Sequence, residues 1–396
     1  MKRIELLTLS VVTATLIMST GCSSDDDDNK ASGPTAPSEV STPVELNASV
    51  ARNAMALIYW NGGVKPSPVR KGNPGGNDGN TSEGGTEVRD CDISGTETTT
   101  YSYIETDDGN GGGSEIDTES VQYDNCIDND ESPYDTRTYN GTYTWTDEES
   151  YDAKSDTHVN RTYTFDNYTD FRENNNSKIS ERVTYSNYMM EEKEISKEEI
   201  SFAQQIMNYD GEYKKVLTND DGNVTGGERT VYGALSMTIE LVKNDHNALV
   251  SKKFTANGFE SNYETNSTGD ETLEDGIYVS NYMIHWYKPD YENNSNEEAV
   301  SVSGTIGGTC LGGSITISTD PLVRSNHNDY FDKDGHQGSS VLPYSGQQHI
   351  SGTNSATVAY DFNSTMNTSA TVTIGNESKK YGTWSEFLAD NSCGDK

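Results

Sequence analysis

Apolar and polar residues alternate strictly between Val231 and Leu241. Val231, Gly233, Leu235, Met237, Ile239 and Leu241 occupy one parity, and Tyr232, Ala234, Ser236, Thr238 and Glu240 the other. A period of two marks a strand whose two faces meet different surroundings. The same period recurs in residues 141–145, 159–165, 300–306, 315–317 and 372–374. Turns rich in Asn, Asp and Gly separate these runs, at 219–223, 244–247 and 268–270. The pattern predicts a mostly β fold: a large antiparallel meander, either a curved open sheet or barrel-like. Residues 191–207 fit either a helix (Ile195, Phe202, Ile206) or a strand (Ile200, Phe202, Ile206), and are read as strand.

Two segments break the period of two. Thr42-Pro43-Val44-Glu45 has the form of a helix start, with Thr42 as cap, Pro43 in the first turn and Glu45 completing a capping box. The stripe Leu46, Val50, Ala54, Leu57 and Ile58 follows, and Asn61-Gly62-Gly63 ends it. This N-terminal helix is expected to pack on the sheet. Near the other terminus Thr383 and Glu386 form a second capping box, predicting a short C-terminal helix.

A weak repeat runs through the strands. Asn is followed by Tyr or Cys at 125, 167, 187, 208, 262 and 281, usually two places after an aromatic or aliphatic residue. Three of its spacings are close to 20 residues, the length of a strand plus its turn, so these positions are expected to recur at one end of the sheet.

Composition narrows the picture. The chain has 396 residues and a net charge of −36, with 64 acidic residues against 28 basic ones. Such a charge repels nucleic acid and anionic headgroups, which excludes a nucleic-acid partner. The apolar share is 31%, and 24 tyrosines stand beside only 8 phenylalanines. Tyrosine joins an apolar ring to a wet tip, which suits sheet faces that are not fully buried. A thin core spread over a wide sheet follows.

The cysteines divide into Cys22 and four others. Residues 88–106 and 114–128 read as a hairpin about the turn at 107–113, which brings Cys91 opposite Cys126 within bridging reach. Cys310 and Cys393 are left to pair, tying the C-terminal segment back to a strand.

The first residues carry an address. Met1-Lys2-Arg3 is basic, residues 4–18 are mostly apolar, and Ser19-Thr20-Gly21 precede Cys22. The apolar run is too short and interrupted for a permanent membrane span, and has the build of a secretory signal. With Cys22 directly after the small residues, the segment resembles the type II signal of a Gram-negative bacterial lipoprotein, although Ser19 stands where such signals usually carry Leu. The resemblance implies cleavage before Cys22 and lipidation of that residue, with Ser23 implying the outer membrane. The lipid anchor would then be the only membrane contact. The run Asp25–Asp28 is either a surface-export tag or a self-repelling tether. The body, on Cys91…Cys126, Tyr139-Asn140-Gly141-Thr142 and the Gly-rich C-terminal segment, loosely resembles uncharacterised proteobacterial β-rich envelope lipoproteins, which carry no known active site to transfer.

Candidate chemistry is sparse. No zinc-protease, serine-hydrolase, Walker or dinucleotide motif occurs, so no catalytic residue is singled out. Asp329, Asp332 and Asp334, with oxygen ligands on alternate residues before Gly335, resemble the start of a calcium loop, but the EF-hand spacing fails. His327, His336 and His349 would suit a transition metal instead. No other cofactor is implied. The bacterial glycosylation pattern Asp/Glu-x-Asn-x-Ser/Thr, as in Campylobacter-like organisms, marks Asn80, Asn223, Asn266 and Asn363, and also Asn47 inside the expected helix.

The resulting organisation is a signal at 1–21, an acidic tether at 22–41, a helix and Gly/Pro-rich loop at 42–86, a β meander at 87–299 and a disulfide-closed β segment at 300–396. Three functions fit. They are a non-catalytic binding or structural module for protein or glycan, a carrier of a lipid or other hydrophobic ligand in a curved sheet, and an envelope hydrolase with an unrecognised site.

Overall fold

The computed structural model describes residues 34–59, 84–107, 112–131, 133–151, 157–174, 178–197, 202–243, 249–288, 297–319, 323–331, 337–363, 367–383 and 386–387. Its strands are β1 (Gly85–Asp90), β2 (Ser94–Asp107), β3 (Gly113–Asn129), β4 (Thr136–Tyr151), β5 (Thr157–Glu173), β6 (Ser180–Lys197), β7 (Phe202–Thr218), β8 (Val224–Lys243), β9 (Leu249–Thr265), β10 (Glu271–Tyr287) and β11 (Glu297–Gly308). Beyond them come β12 (Gly313–Thr319), β13 (Val323–Phe331), β14 (Gln337–Ser351), β15 (Ser355–Asn363), β16 (Asn367–Ile374) and β17 (Glu377–Tyr381).

Each strand from β1 to β11 pairs antiparallel with the next. β12 and β13 lie end to end in one lane between β11 and β14, so the 17 strands fill 16 lanes of one open sheet. Residues 191–207 are strand on both sides of the β6–β7 connection. β11 runs through position 300, so the expected boundary at 299 falls inside a strand of a continuous sheet.

The two faces differ. An aromatic face carries Tyr143, Tyr185, Tyr232, Met237 and Ile284, and holds the hydrophobic core. An opposite face carries rows of Thr and Ser over β1–β5.

The N-terminal helix begins later than the sequence predicts. Residues 42–46 run extended along the sheet: the Ser314 N–H donates to the Thr42 carbonyl at 2.8 Å and the Val44 N–H to the Ser314 carbonyl at 3.0 Å. Those backbone groups are already committed to the sheet, so α2 (Ala48–Tyr59) starts only where Asn47 Oδ1 accepts the N–H groups of Ser49 and Val50. The strap is admitted by glycines, since a Cβ on Gly352 would lie 2.0 Å from the Val44 carbonyl oxygen. A single turn, α1 (Ser38–Ser41), precedes it, and its Val40 is fully buried although it lies in the stretch expected as tether. Leu46, Val50 and Ala54 are buried against the sheet as expected. At the C-terminal segment Thr383 Oγ1 accepts the Glu386 N–H at 3.0 Å, as a cap does, while the Glu386 side chain accepts the N–H of Gly382, one residue before the cap, at 2.7 Å.

Candidate functional site

A crease crosses the sheet. Every strand from β2 to β11 holds one residue in the left-handed region, in the order Gly95, Asn125, Gly141, Asn167, Asn187, Gly211, Ala234, Gly258, Asn281, Gly304. β3, β5, β6, β8 and β10 each carry one extra residue here, and a β-bulge results wherever such a strand meets a glycine-bearing neighbour. Four of the six Asn-Tyr/Cys positions in the sequence repeat are these bulges. Asn208 and Asn262 are ordinary strand positions, and Ala234-Leu235 takes the place of Asn-Tyr in β8. The repeat crosses the middle of the sheet and not one end, because the strands extend several residues on both sides of each bulge. The complementary half of the repeat is also a sequence signal: an Asn, Asp or Ser precedes glycine at 95, 141, 211, 258 and 304.

The bulge sets up the aromatic face. Side chains three residues apart normally point to opposite faces, but the extra residue brings them to the same one. Phe165 and Tyr168, Tyr185 and Tyr188, and Tyr232 and Leu235 therefore share a side. Their rings touch across lanes: Phe165 to Tyr185 at 4.4 Å, Tyr168 to Tyr185 at 5.9 Å, and Tyr188 to Tyr232 at 6.0 Å between centroids. Packed this way, Tyr168, Tyr185, Tyr188 and Tyr209 are each under 10% exposed. Burial raises their hydroxyl pKa values, Tyr185 and Tyr209 to about 12.

Toward the β2–β3 turn the rings become more open. One transverse row places Tyr101, Glu119, Trp145 and Tyr163 side by side on β2–β5, all half-buried. The next row outward holds Tyr103, Asp117, Asp147, Arg161 and Glu192. Tyr143 donates its hydroxyl to Glu119 at 2.9 Å, Arg161 Nε donates to Asp147 at 3.3 Å, and Gln205 Nε2 donates to Glu192 at 3.1 Å. Burial and the neighbouring Glu192 charge raise the pKa of Glu194. The result is an aromatic platform bordered by carboxylates, an amide and a guanidinium, suited to stacking and directional hydrogen bonds.

Two depressions of about 390 and 610 Å³ are open and bordered by polar groups such as Glu148, His158, Lys193, His349 and Asn354. They lie away from the platform.

The residues singled out in the sequence do not converge. Cys91 and Cys126 are bonded, with Cα atoms 5.4 Å apart. Among the described residues they also form, with Asp128, a cluster of metal-type donors within 4.8 Å, but the disulfide consumes both sulfurs. Cys310 is disulfide-bonded, and Cys393 lies outside the described residues, as do Cys22, Asn80, Asp332, Asp334 and His336. Asp329 and His327 sit within β13, in register with Ser339 and Val341, where a loop was expected. His349 lies on β14, eight residues along from Val341, or about 27 Å at strand rise, so the two described histidines do not meet. Trp286 has the Lys252 ammonium over its ring at 5.5 Å. Asn223 and Asn266 lie in matching tight turns, Asn266 Oδ1 accepting from the N–H groups of Thr268 and Asp270, and Asn363 ends β15. No helix among the described residues is long and apolar enough to cross a membrane.

Compared with family models and with curated proteins, the sequence finds no match.

Proposed function

We propose that this chain is a non-catalytic glycan-binding module, held at the outer membrane through a lipid on Cys22. The platform of Tyr101, Trp145 and Tyr163 carries the reading, with Asp117, Asp147 and Arg161 in the adjoining row. Sugar rings offer C–H faces to aromatic rings and hydroxyl pairs to carboxylates and guanidinium. Both features stand here on rigid strands, where little side-chain entropy is left to lose. The net charge of −36 favours a neutral or amino-bearing glycan over an anionic one. A carrier needs enclosed apolar space, and this face is filled by its own rings, which argues against that alternative. The anchor rests on Cys22 and the residues before it.

Calorimetric titration with a panel of soluble neutral and amino-bearing polysaccharides tests the reading. Trp145→Ala should weaken binding at least tenfold, whereas Thr164→Ala on the opposite face should leave it unchanged. Absence of binding across the panel, or binding indifferent to Trp145, would overturn it.

A further inference from the structure

The face opposite the aromatic platform carries an uncharged block in a strongly acidic chain. On β2 the outward positions are Thr96, Thr98, Thr100, Ser102, Ile104 and Thr106, without a charge among them. In register with Thr100 stand Thr86, Ser120, Thr144 and Thr164 on β1, β3, β4 and β5. The row beside it aligns Ser102, Thr118, Thr146 and Thr162. Hydroxyls in these rows bond along the row, Ser120 to Thr144 at 3.0 Å and Thr118 to Thr146 at 3.4 Å. Val88 and Ile104, on the same face, are 62% and 51% exposed, two of the most exposed large apolar side chains of the described chain. Charges return at the margins, at Asp90, Asp124, Glu148 and Asp166 on β1, β3, β4 and β5, and at Glu191 and Lys193 on the neighbouring β6.

We infer that this block is a homodimer interface, in which two copies stack their hydroxyl faces about a two-fold axis. Charge selects the partner. Over most of its surface a chain of net charge −36 repels its own copy, and this block lacks that repulsion. Hydroxyls both donate and accept, so a row of them is complementary to the same row turned by a two-fold. Thr has few rotamers in a strand, so little freedom is lost on contact. Sheet twist also points to a sheet as partner: two sheets of the same twist stack face to face at about −30°, whereas a flat lattice would match only a few strands. Four lanes (β2–β5) at ~4.8 Å, over about ten residues at ~3.3 Å each, with the six-residue β1 beside them, give roughly 700 Å² a side. That is about what each partner of a standard stable interface buries.

Sedimentation equilibrium of the full chain in detergent tests this. The wild type should be dimeric at micromolar concentration and associate more tightly as salt screens the net charge. Thr118→Glu with Thr144→Glu faces like charges across the axis and should weaken association by at least about 100-fold. Trp145→Ala, on the other face, should leave it unchanged. Independently of any folding defect in the double variant, Ser120→Cys should give an oxidised dimer faster than a cysteine placed at Ser186. A wild type that stays monomeric at high salt and high concentration overturns the proposal. So does a double variant that dimerises normally, or a neutral polysaccharide that binds through Thr144 and not Trp145.

Discussion

The side-chain oxygen of Asn140 accepts the backbone N–H of Asn125 at 2.9 Å, and the next residue, Gly141, faces the bulge at Asn167 on the other side. One Asx-Gly pair thus serves two bulges, capping one with its side chain and making room for the other with its missing Cβ. Asp210 does the same for the Ala234 N–H at 3.0 Å, and Asn257 for the Asn281 N–H. The crease is therefore held from lane to lane by the same two devices.

Adding a methyl group to the crease should be costly. A Cβ on Gly304 would lie 2.1 Å from the Asn281 carbonyl oxygen, at φ +97°. Gly304→Ala should therefore destabilise by more than the roughly 1–3 kcal/mol of left-handed strain alone. Gly269→Ala has a similar φ of +86° but open space around it, and should cost only the strain. Denaturant unfolding of the two variants, reversed in that order, would count against the crease as a packed element.

Removing a cap should cost less. Asn140→Ala leaves the Asn125 N–H without its acceptor, a loss of about 1 kcal/mol, and Asn140→Asp should restore most of it, because Asp210 fills the same role elsewhere. Thermal melting of the pair checks this.

Alkaline pH should unfold the aromatic face. Tyr185 and Tyr209 ionise near 12 in the folded chain, while an unfolded tyrosine ionises near 10. Below pH ~10 both states keep the proton and the contribution is complete. Between ~10 and ~12 the unfolded chain alone releases it, so stability falls as pH rises. Ultraviolet absorbance should show these tyrosines ionising together with loss of sheet circular dichroism, and not before it.

The bridge between Cys91 and Cys126 closes a separation of 35 residues, which corresponds to roughly 4 kcal/mol in the chain-entropy model. The double serine variant should lose about 2–4 kcal/mol. Urea unfolding with and without reductant measures it.

Cys22→Ser should release the chain from membranes in soluble form. Fractionation that leaves the variant membrane-bound would remove the lipid anchor from the proposed function and leave the platform's own test untouched.

The period of two and the Asn-rich turns made the meander legible, because strand alternation is a local consequence of backbone geometry, although the bulge at Ala234 switches the parity that faces the core within residues 231–241. The pairing of Cys91 with Cys126 was legible for the same reason, as the hairpin between them is local. The helix does not start at Thr42 because the backbone of Thr42 and Val44 is paired with Ser314, a partner about 270 residues away that no local pattern announces. The Asn-Tyr repeat was visible as spacing, but its meaning was not. A left-handed residue within a strand is stable only when a glycine in the adjacent lane makes room, and adjacency is decided by register. The platform of Tyr101, Trp145 and Tyr163 is likewise a row across strands, assembled from residues 44 and then 18 positions apart. The sequence by itself determined the antiparallel meander and the first disulfide, both consequences of neighbouring residues. Only the tertiary structure decided which rings meet, which face stays uncharged and where the sheet creases, since those depend on lateral register between chain segments.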